Sequence, residues 1–293
     1  MEWRELLIVG AALKTGIFKA LEKPRTVSEL VSELDLDKRA TGVVLESLVD
    51  LGYLKNSNET FQLLKEVTNP DSLCHELKLI KNWLSLDAVL KIGKPEALPR
   101  SNEELGYFIK AMAEMEKKSA GEVVRVCLGE APNSKSVLDV GGGPGIYAAE
   151  FANKGLKTTL FDLPQVVDLV KSDLDGKIDV ISGDFNQWLP AGPFDIILLA
   201  NVCHIYGAEK NIELFKKAKE SMSENGYLIV LDFVKGISPK AKIFAVNMLA
   251  STASGGTWSK EQYSGWLNKA GLELLKTRNL LSREEQLLIA KKL

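Results

Sequence analysis

Five residues have the types and the spacing to do chemistry together: Asp139, Asp162, Asp184, His204 and Asp232. Each lies at the end of a short apolar run, and the carboxyl ends of parallel strands are where open α/β sheets bind their ligands. Carboxylates in that place can accept hydrogen bonds from ribose hydroxyls. An acid at a strand end can also simply cap the helix or turn that follows. The repetition favours ligand contact for Asp162 and Asp184, and for Asp139 both readings stand. His204 is one of two histidines in the chain. Imidazole takes up a proton near neutral pH, so it can serve as general base toward a hydroxyl, whose oxygen becomes a good nucleophile only as its proton leaves. Asp232, at the end of the next strand, is placed to hydrogen-bond the far ring nitrogen and hold the tautomer. A lone histidine is more often a packed strand-end residue, but the acids around this one support the base.

The elements that must position these groups begin at SVLDVGGGPG, residues 136–145. Val137, Leu138 and Val140 make a buried strand, and Gly141, Gly142 and Gly143 let the backbone turn tightly and approach a ligand, with Gly145 opening a helix that runs through Phe151. This is a nucleotide cradle. The dinucleotide version places its third glycine three residues after the second, but that position is Ile146 here, and the glycines fall at 141, 143 and 145. The next strands are read as Thr158 to Phe161, Ile178 to Ile181, Phe194 to Ala200, which is nearly all apolar, and Tyr227 to Leu231.

The 293 residues suffice for one large or two ordinary domains, and 45% hydrophobic with 26% charged residues is ordinary for a globular protein. A net charge of −2 argues against a general nucleic-acid or anionic-membrane binder. No run approaches the ~20 apolar residues of a membrane span, and the N-terminus MEWRELLIVG carries acids where a secretory signal has a basic flank, so a cytoplasmic protein is expected. Cys74, Cys127 and Cys203 cannot all pair and lack C-x-x-C spacing, so neither a disulfide framework nor a metal site is expected.

Residues 1–65 read as helix, helix-turn-helix, then hairpin, the order of a winged helix. Leu6, Leu7, Val9, Leu13, Ile17 and Leu21 predict a helix closed by Pro24; Thr26 with Glu29 forms a capping box; Asp37 caps a third helix that stops at Gly52; and a polar turn at Asn56-Ser57-Asn58-Glu59 joins two short strands. Nine basic against ten acidic residues in this stretch, with Glu46 and Asp50 on the would-be recognition helix, argue against DNA binding and for an oligomerisation surface. Helices are predicted over Glu76 to Ile92 and Glu103 to Leu128. Tyr107, Phe108, Met112 and Met115 on the latter suit either ordinary core or the lining of an acceptor pocket.

With these motifs in hand, the chain resembles the winged-helix, S-adenosylmethionine (SAM)-dependent O-methyltransferases, a family that includes plant caffeic acid-type enzymes, acetylserotonin methyltransferase and bacterial natural-product tailoring enzymes. The matching segments are WLSLDAVLKIGKP (83–95), VLDVGGGPG, FDLP (161–164), GDF (183–185), Cys203-His204, Asn225-Gly226 and Gly255-Gly256. The resemblance implies an α/β class I SAM methyltransferase fold, a Rossmann-like doubly wound sheet of about seven strands over residues 96–293, with an N-terminal winged-helix (α+β) dimerisation domain over 1–95. It implies a cofactor set of Asp139, Gly141, Gly143, Asp162, Leu163, Asp184, Phe185 and Asn201, with Asp162 on the ribose and Asp184 and Phe185 framing the adenine. The product would be S-adenosyl-L-homocysteine. His204 is then the base and Asp232 its orienter, with Met112, Met115, Tyr206, Met248 and Trp258 as pocket walls for a small-molecule acceptor. A homodimer, no metal, no nucleic acid and no membrane complete the expectation. The chain departs from the family at His204-Ile205-Tyr206, where plant members read His-Asp-Trp, at Ala200 in place of a common lysine, and at Thr257-Trp258-Ser259, where a second glutamate is usual. These departures leave room for a thiol, amine or carbon acceptor, or for a SAM-binding regulatory protein.

Overall fold

The computed structural model describes residues 1–96, 100–174 and 176–293. The chain forms two compact units, residues 1–81 with 102–111, and residues 82–101 with 112–293. The first opens with α1 (Trp3–Lys14) and α2 (Ile17–Ala20). The single helix predicted up to Pro24 is broken: the Thr15 hydroxyl turns back onto the Ala11 carbonyl at 2.9 Å, and Gly16 redirects the chain. β1 (Arg25–Thr26) runs into α3 (Val27–Leu34), whose Thr26–Glu29 capping box forms as predicted. α4 (Lys38–Asp50) is capped by the Asp37 carboxylate, which accepts from the Ala40 N–H at 2.7 Å. β2 (Leu54–Ser57) and β3 (Thr60–Leu63) meet at Asn58-Glu59, both with positive φ, the two-residue turn that suits strand twist. The antiparallel order is β1-β3-β2. Val9, Leu21, Leu30, Leu45 and Leu48 fill the core, joined by Leu73 of α5 (Pro70–Trp83).

In the second unit, α6 (Leu86–Ile92), the last part of α7 (Asn102–Lys117) and α8 (Ala120–Glu130) precede the sheet. Both long helices predicted here are interrupted, at Ser85 and at Ser119, where the backbone N–H bonds three residues back, to Asn82 at 3.1 Å and to Glu116 at 2.9 Å. Then come β4 (Ser136–Val140), α9 (Ile146–Asn153), β5 (Lys157–Asp162), α10 (Pro164–Val170), β6 (Ile178–Ser182), β7 (Phe194–Ala200), α11 (Ala208–Ser221), β8 (Met222–Asp232), β9 (Val234–Lys235), α12 (Ala241–Ser251), β10 (Trp258–Ser259), α13 (Lys260–Lys269), β11 (Leu272–Asn279) and β12 (Gln286–Lys292). Seven strands form one mixed sheet in the order β11-β12-β8-β7-β4-β5-β6, with β12 antiparallel to both neighbours and the rest parallel.

The strand sequences explain the layers. Leu138, Ile197, Leu199, Leu228 and Val230 face α11 and α13, while the alternate residues Val137, Ile196, Leu198, Ile229 and Leu231 face α8 and α9. Burying each such side chain contributes roughly 1.5–3 kcal/mol. Chain order reverses between β4 and β7, and such a switch point is where open α/β sheets bind ligands, outside the carboxyl ends of the strands. Among the described residues no helix is long and apolar enough to cross a membrane.

Candidate active site

β4 delivers Asp139 beneath the glycine turn, fully buried, with neither carboxylate oxygen in a hydrogen bond of good geometry and the Ala148 backbone N–H as its one weak partner. Burial, and then the charge of Asp162, push its pKa up to about 7. Asp162 closes β5. Its Oδ2 accepts from the Gly143 N–H at 2.8 Å and its Oδ1 from the Leu163 N–H at 2.7 Å. Burial raises its pKa and those two N–H groups oppose the rise. One carboxylate thus ties the glycine turn to the start of α10, where Leu163 is followed by Pro164 in the first helical position. Gly141 has φ +67, and a Cβ there would lie 2.8 Å from Val202. Only glycine lets this backbone sit so close to the β7 end.

After β6, the Asp184 Oδ1 accepts from the Asn186 backbone and side-chain amides at 2.8 and 2.9 Å. Asn186 in turn donates to the Tyr206 hydroxyl at 3.1 Å, and the Tyr206 ring meets Phe185 edge-on at 5.9 Å. Tyr206, expected as an acceptor wall, therefore sits with the Asp184–Phe185 group. Lys217 of α11 donates to the carbonyls of Phe185 and Asn186 and pins this loop.

β7 ends in Asn201, held at φ +58 with its N–H bonded to Leu231 at 2.8 Å. A turn at Cys203–Ile205 follows and carries His204, which is buried. Ala200 pairs with Leu231, so Asp232 at the end of β8 faces the turn, and the His204 Nδ1 lies 2.8 Å from the Asp232 Oδ1. The same Oδ1 accepts the Phe233 N–H at 2.8 Å, and the Oδ2 accepts the Tyr263 hydroxyl at 3.0 Å. As the Asp232 carboxylate can only accept, Nδ1 of His204 is the ring donor and Nε2 is the nitrogen turned away from it.

The turn itself is clamped. Buried Asn211 of α11 directs its side-chain amide at the carbonyls of Cys203, Tyr206 and Gly207 at 3.0–3.1 Å. Gly256 donates to the His204 carbonyl at 2.9 Å, and the Trp258 indole N–H reaches Cys203 at 3.3 Å. Beside the imidazole, Phe244 of α12 packs edge-on at 4.9 Å and stacks on Phe233 at 4.3 Å. Buried Met248 lies one turn beyond Phe244, and Asn247 accepts the Trp83 indole N–H at 3.0 Å. Met112 and Met115 lie on α7, and Met115 is 46% exposed.

The structure thus gathers most of the expected residues into three groups at the strand ends, with Asp139, Gly141, Gly143, Asp162 and Leu163 in one, Asp184, Phe185 and Tyr206 in a second, and Asn201, His204, Asp232 and Trp258 in the third. Asn211, Tyr263 and Phe244 were not anticipated. A buried Asn on the apolar face of α11 was the available signal for the first. The residues present fit a nucleoside cofactor carrying positive charge: a buried carboxylate without a strong partner, a turn that a Cβ would obstruct, and acids at adjacent strand ends.

Fold and site together define a nucleotide-cofactor-binding α/β protein with a His–Asp pair at the strand ends. Residues 87–273 match the family model for the O-methyltransferase domain. The chain belongs to that family, and is a SAM-dependent O-methyltransferase. The 3-O-methylredipecamine 2-O-methyltransferase of Carapichea ipecacuanha is 29% identical over 251 residues, 75% of this chain and 69% of that protein. The solved structure of human N-acetylserotonin methyltransferase in complex with SAM aligns with 99% of this chain and 94% of its own at TM-score 0.73 and 20% identity. The structure of PigF with S-adenosylhomocysteine covers 99% of this chain and 96% of its own at TM-score 0.78, also at 20% identity.

Proposed function

We propose that this chain methylates a hydroxyl of a small, partly apolar, aromatic acceptor, with His204 as general base. The observation that carries the reading is the His204–Asp232 pair, 2.8 Å apart at the ends of adjacent strands with an aromatic ring against the imidazole. Asp162 and Asp139, with Gly141, Gly143 and Leu163, hold the ribose and methionine portions of the cofactor, while Asp184, Phe185 and Asn201 take the adenine side. SAM, when bound, supplies a methyl group on a positively charged sulfur. Nε2 of His204 accepts the proton of the acceptor hydroxyl, and Asp232 keeps Nδ1 protonated and the ring oriented. Phe244, Met248 and Trp258, with Met112 and Met115, form the acceptor walls, and their apolar surfaces exclude water from the reacting oxygen.

The N-terminal unit is proposed to be a winged helix that pairs two copies in the cytoplasm, its exposed Trp3 and Leu7 supplying apolar surface. The domain assignment 1–95 and 96–293 belongs to the same proposal. Incubation with methyl-labelled SAM and a panel of phenols, thiols and amines tests the reading. A phenol that gains a methyl group supports it, and gain only on thiols or amines contradicts it.

A further inference from the structure

Tyr263 has no assigned role, yet its surroundings single it out. It lies on α13, fully buried among Trp266, Leu267 and the sheet residues beneath. A buried phenol needs a hydrogen-bond partner, and this one donates to the Asp232 Oδ2 at 3.0 Å. The two oxygens of Asp232 are not equivalent: Oδ1 takes both the His204 ring N–H and the Phe233 N–H, whereas Oδ2 takes the Tyr263 hydroxyl. The side chain of Asp232 is fully buried. Without the Tyr263 hydroxyl that buried Oδ2 would lose this hydrogen bond.

We propose that Tyr263 is a positioning residue for the base, its hydroxyl drawing charge from the far oxygen of Asp232 and so setting how strongly that carboxylate holds a proton on His204. This rests on the reading of His204 as base. A carboxylate relieved of part of its charge stabilises the imidazolium less, so the ring stays neutral, with Nε2 free, to lower pH. The titratable groups facing Asp232 are His204 and Cys203 from the turn after β7 and Tyr263 from α13, and burial pushes the Cys203 thiol and the Tyr263 phenol well up, so neither carries charge in the working range.

The test needs no acceptor. The chain has two histidines, His75 and His204, so imidazole nitrogen signals from ¹⁵N-histidine-labelled protein saturated with S-adenosylhomocysteine are assigned by their loss in His204→Ala. In Tyr263→Phe, which keeps the packed ring, the pH at which the His204 ring takes up its second proton should rise by about half a pH unit or more. In an Asp232→Asn background the same change should move it by nothing measurable. An unchanged or lowered midpoint in the single variant, or an equal shift in both backgrounds, overturns the proposal. Should Tyr263→Phe fail to fold, tyrosine ring-carbon labelling of the unmodified protein decides. The signal displaced by Asp232→Asn must follow the His204 midpoint, and one that ignores it refutes the coupling. Turnover by His204→Ala separately decides the reading of the base.

Discussion

The two halves of the sheet's carboxyl edge differ in what they leave undone. At β7 and β8 the chain partners most of its own network, with His204, Asp232, Phe233 and Tyr263 bonded and the Asn211 amide N–H groups clamping the turn, while the Asn211 Oδ1 has no partner. At β4 and β5 it stops short: Asp139 is buried with neither oxygen in a hydrogen bond of good geometry, while Asp162 spends two lone pairs on its own loop and keeps the rest. A buried carboxylate without a strong partner is costly, and the raised pKa of Asp139 lets it hold a proton until a cation meets it. The more satisfied half suits holding one geometry, and the less satisfied half suits the proposed role of receiving a cation-bearing ligand.

Breaking the receiving half should have the largest effect on binding. Asp162→Ala removes the acceptor of two backbone N–H groups as well as the proposed ribose contact, and calorimetry should find S-adenosylhomocysteine affinity reduced by roughly 100-fold, while the His204 ring signals stay in place.

The next effect sharpens the contrast through pH. The pKa of Asp139 is raised to about 7 in the folded protein, above its unfolded value. The folded state therefore favours the protonated acid. Its contribution to stability is fully present below the ordinary carboxylate pKa of about 4 and is lost as pH rises toward 7. Asp139→Asn should accordingly stabilise the ligand-free protein by roughly 2–4 kcal/mol at pH 8 and leave it nearly unchanged at pH 4, read as thermal midpoints. Cofactor-product binding near pH 6 should release a proton in the parent protein and none from this site in the variant, which calorimetry in buffers of different ionisation enthalpy resolves.

Gly141→Ala places a Cβ 2.8 Å from Val202 on a backbone with φ +67, and should cost about 1–3 kcal/mol in denaturant unfolding. On the more satisfied side, Asn211→Ala frees the carbonyls of Cys203, Tyr206 and Gly207. It should cost about 1–2 kcal/mol and lower turnover without changing cofactor affinity.

Much of the receiving half was legible in the sequence, because glycine spacing and acids at strand ends are local features. The apolar runs of β4, β5 and β7 needed no partner to be recognised. The more satisfied half was legible only in its first two members. Tyr263 lies 31 residues from the carboxylate it bonds, within a helix whose pattern reads as ordinary core. The break at Ser119 carries no glycine or proline. Its hydroxyl accepts from Arg283 at 3.3 Å, across 164 residues, which periodicity cannot register. Residues 102–111 return to the first unit for the same reason, since their partners lie far back in the chain, as in the Lys110–Asp71 pair. Tyr206 falls with the Asp184 group, because the direction of a side chain leaving a tight turn is set by its contacts with Asn186 and Phe185.

The most direct measurement compares methyl transfer by His204→Ala and the parent protein at saturating SAM with a phenol the parent methylates. The account predicts turnover reduced by roughly 10²–10⁴-fold with S-adenosylhomocysteine affinity unchanged; turnover equal to the parent's would contradict it.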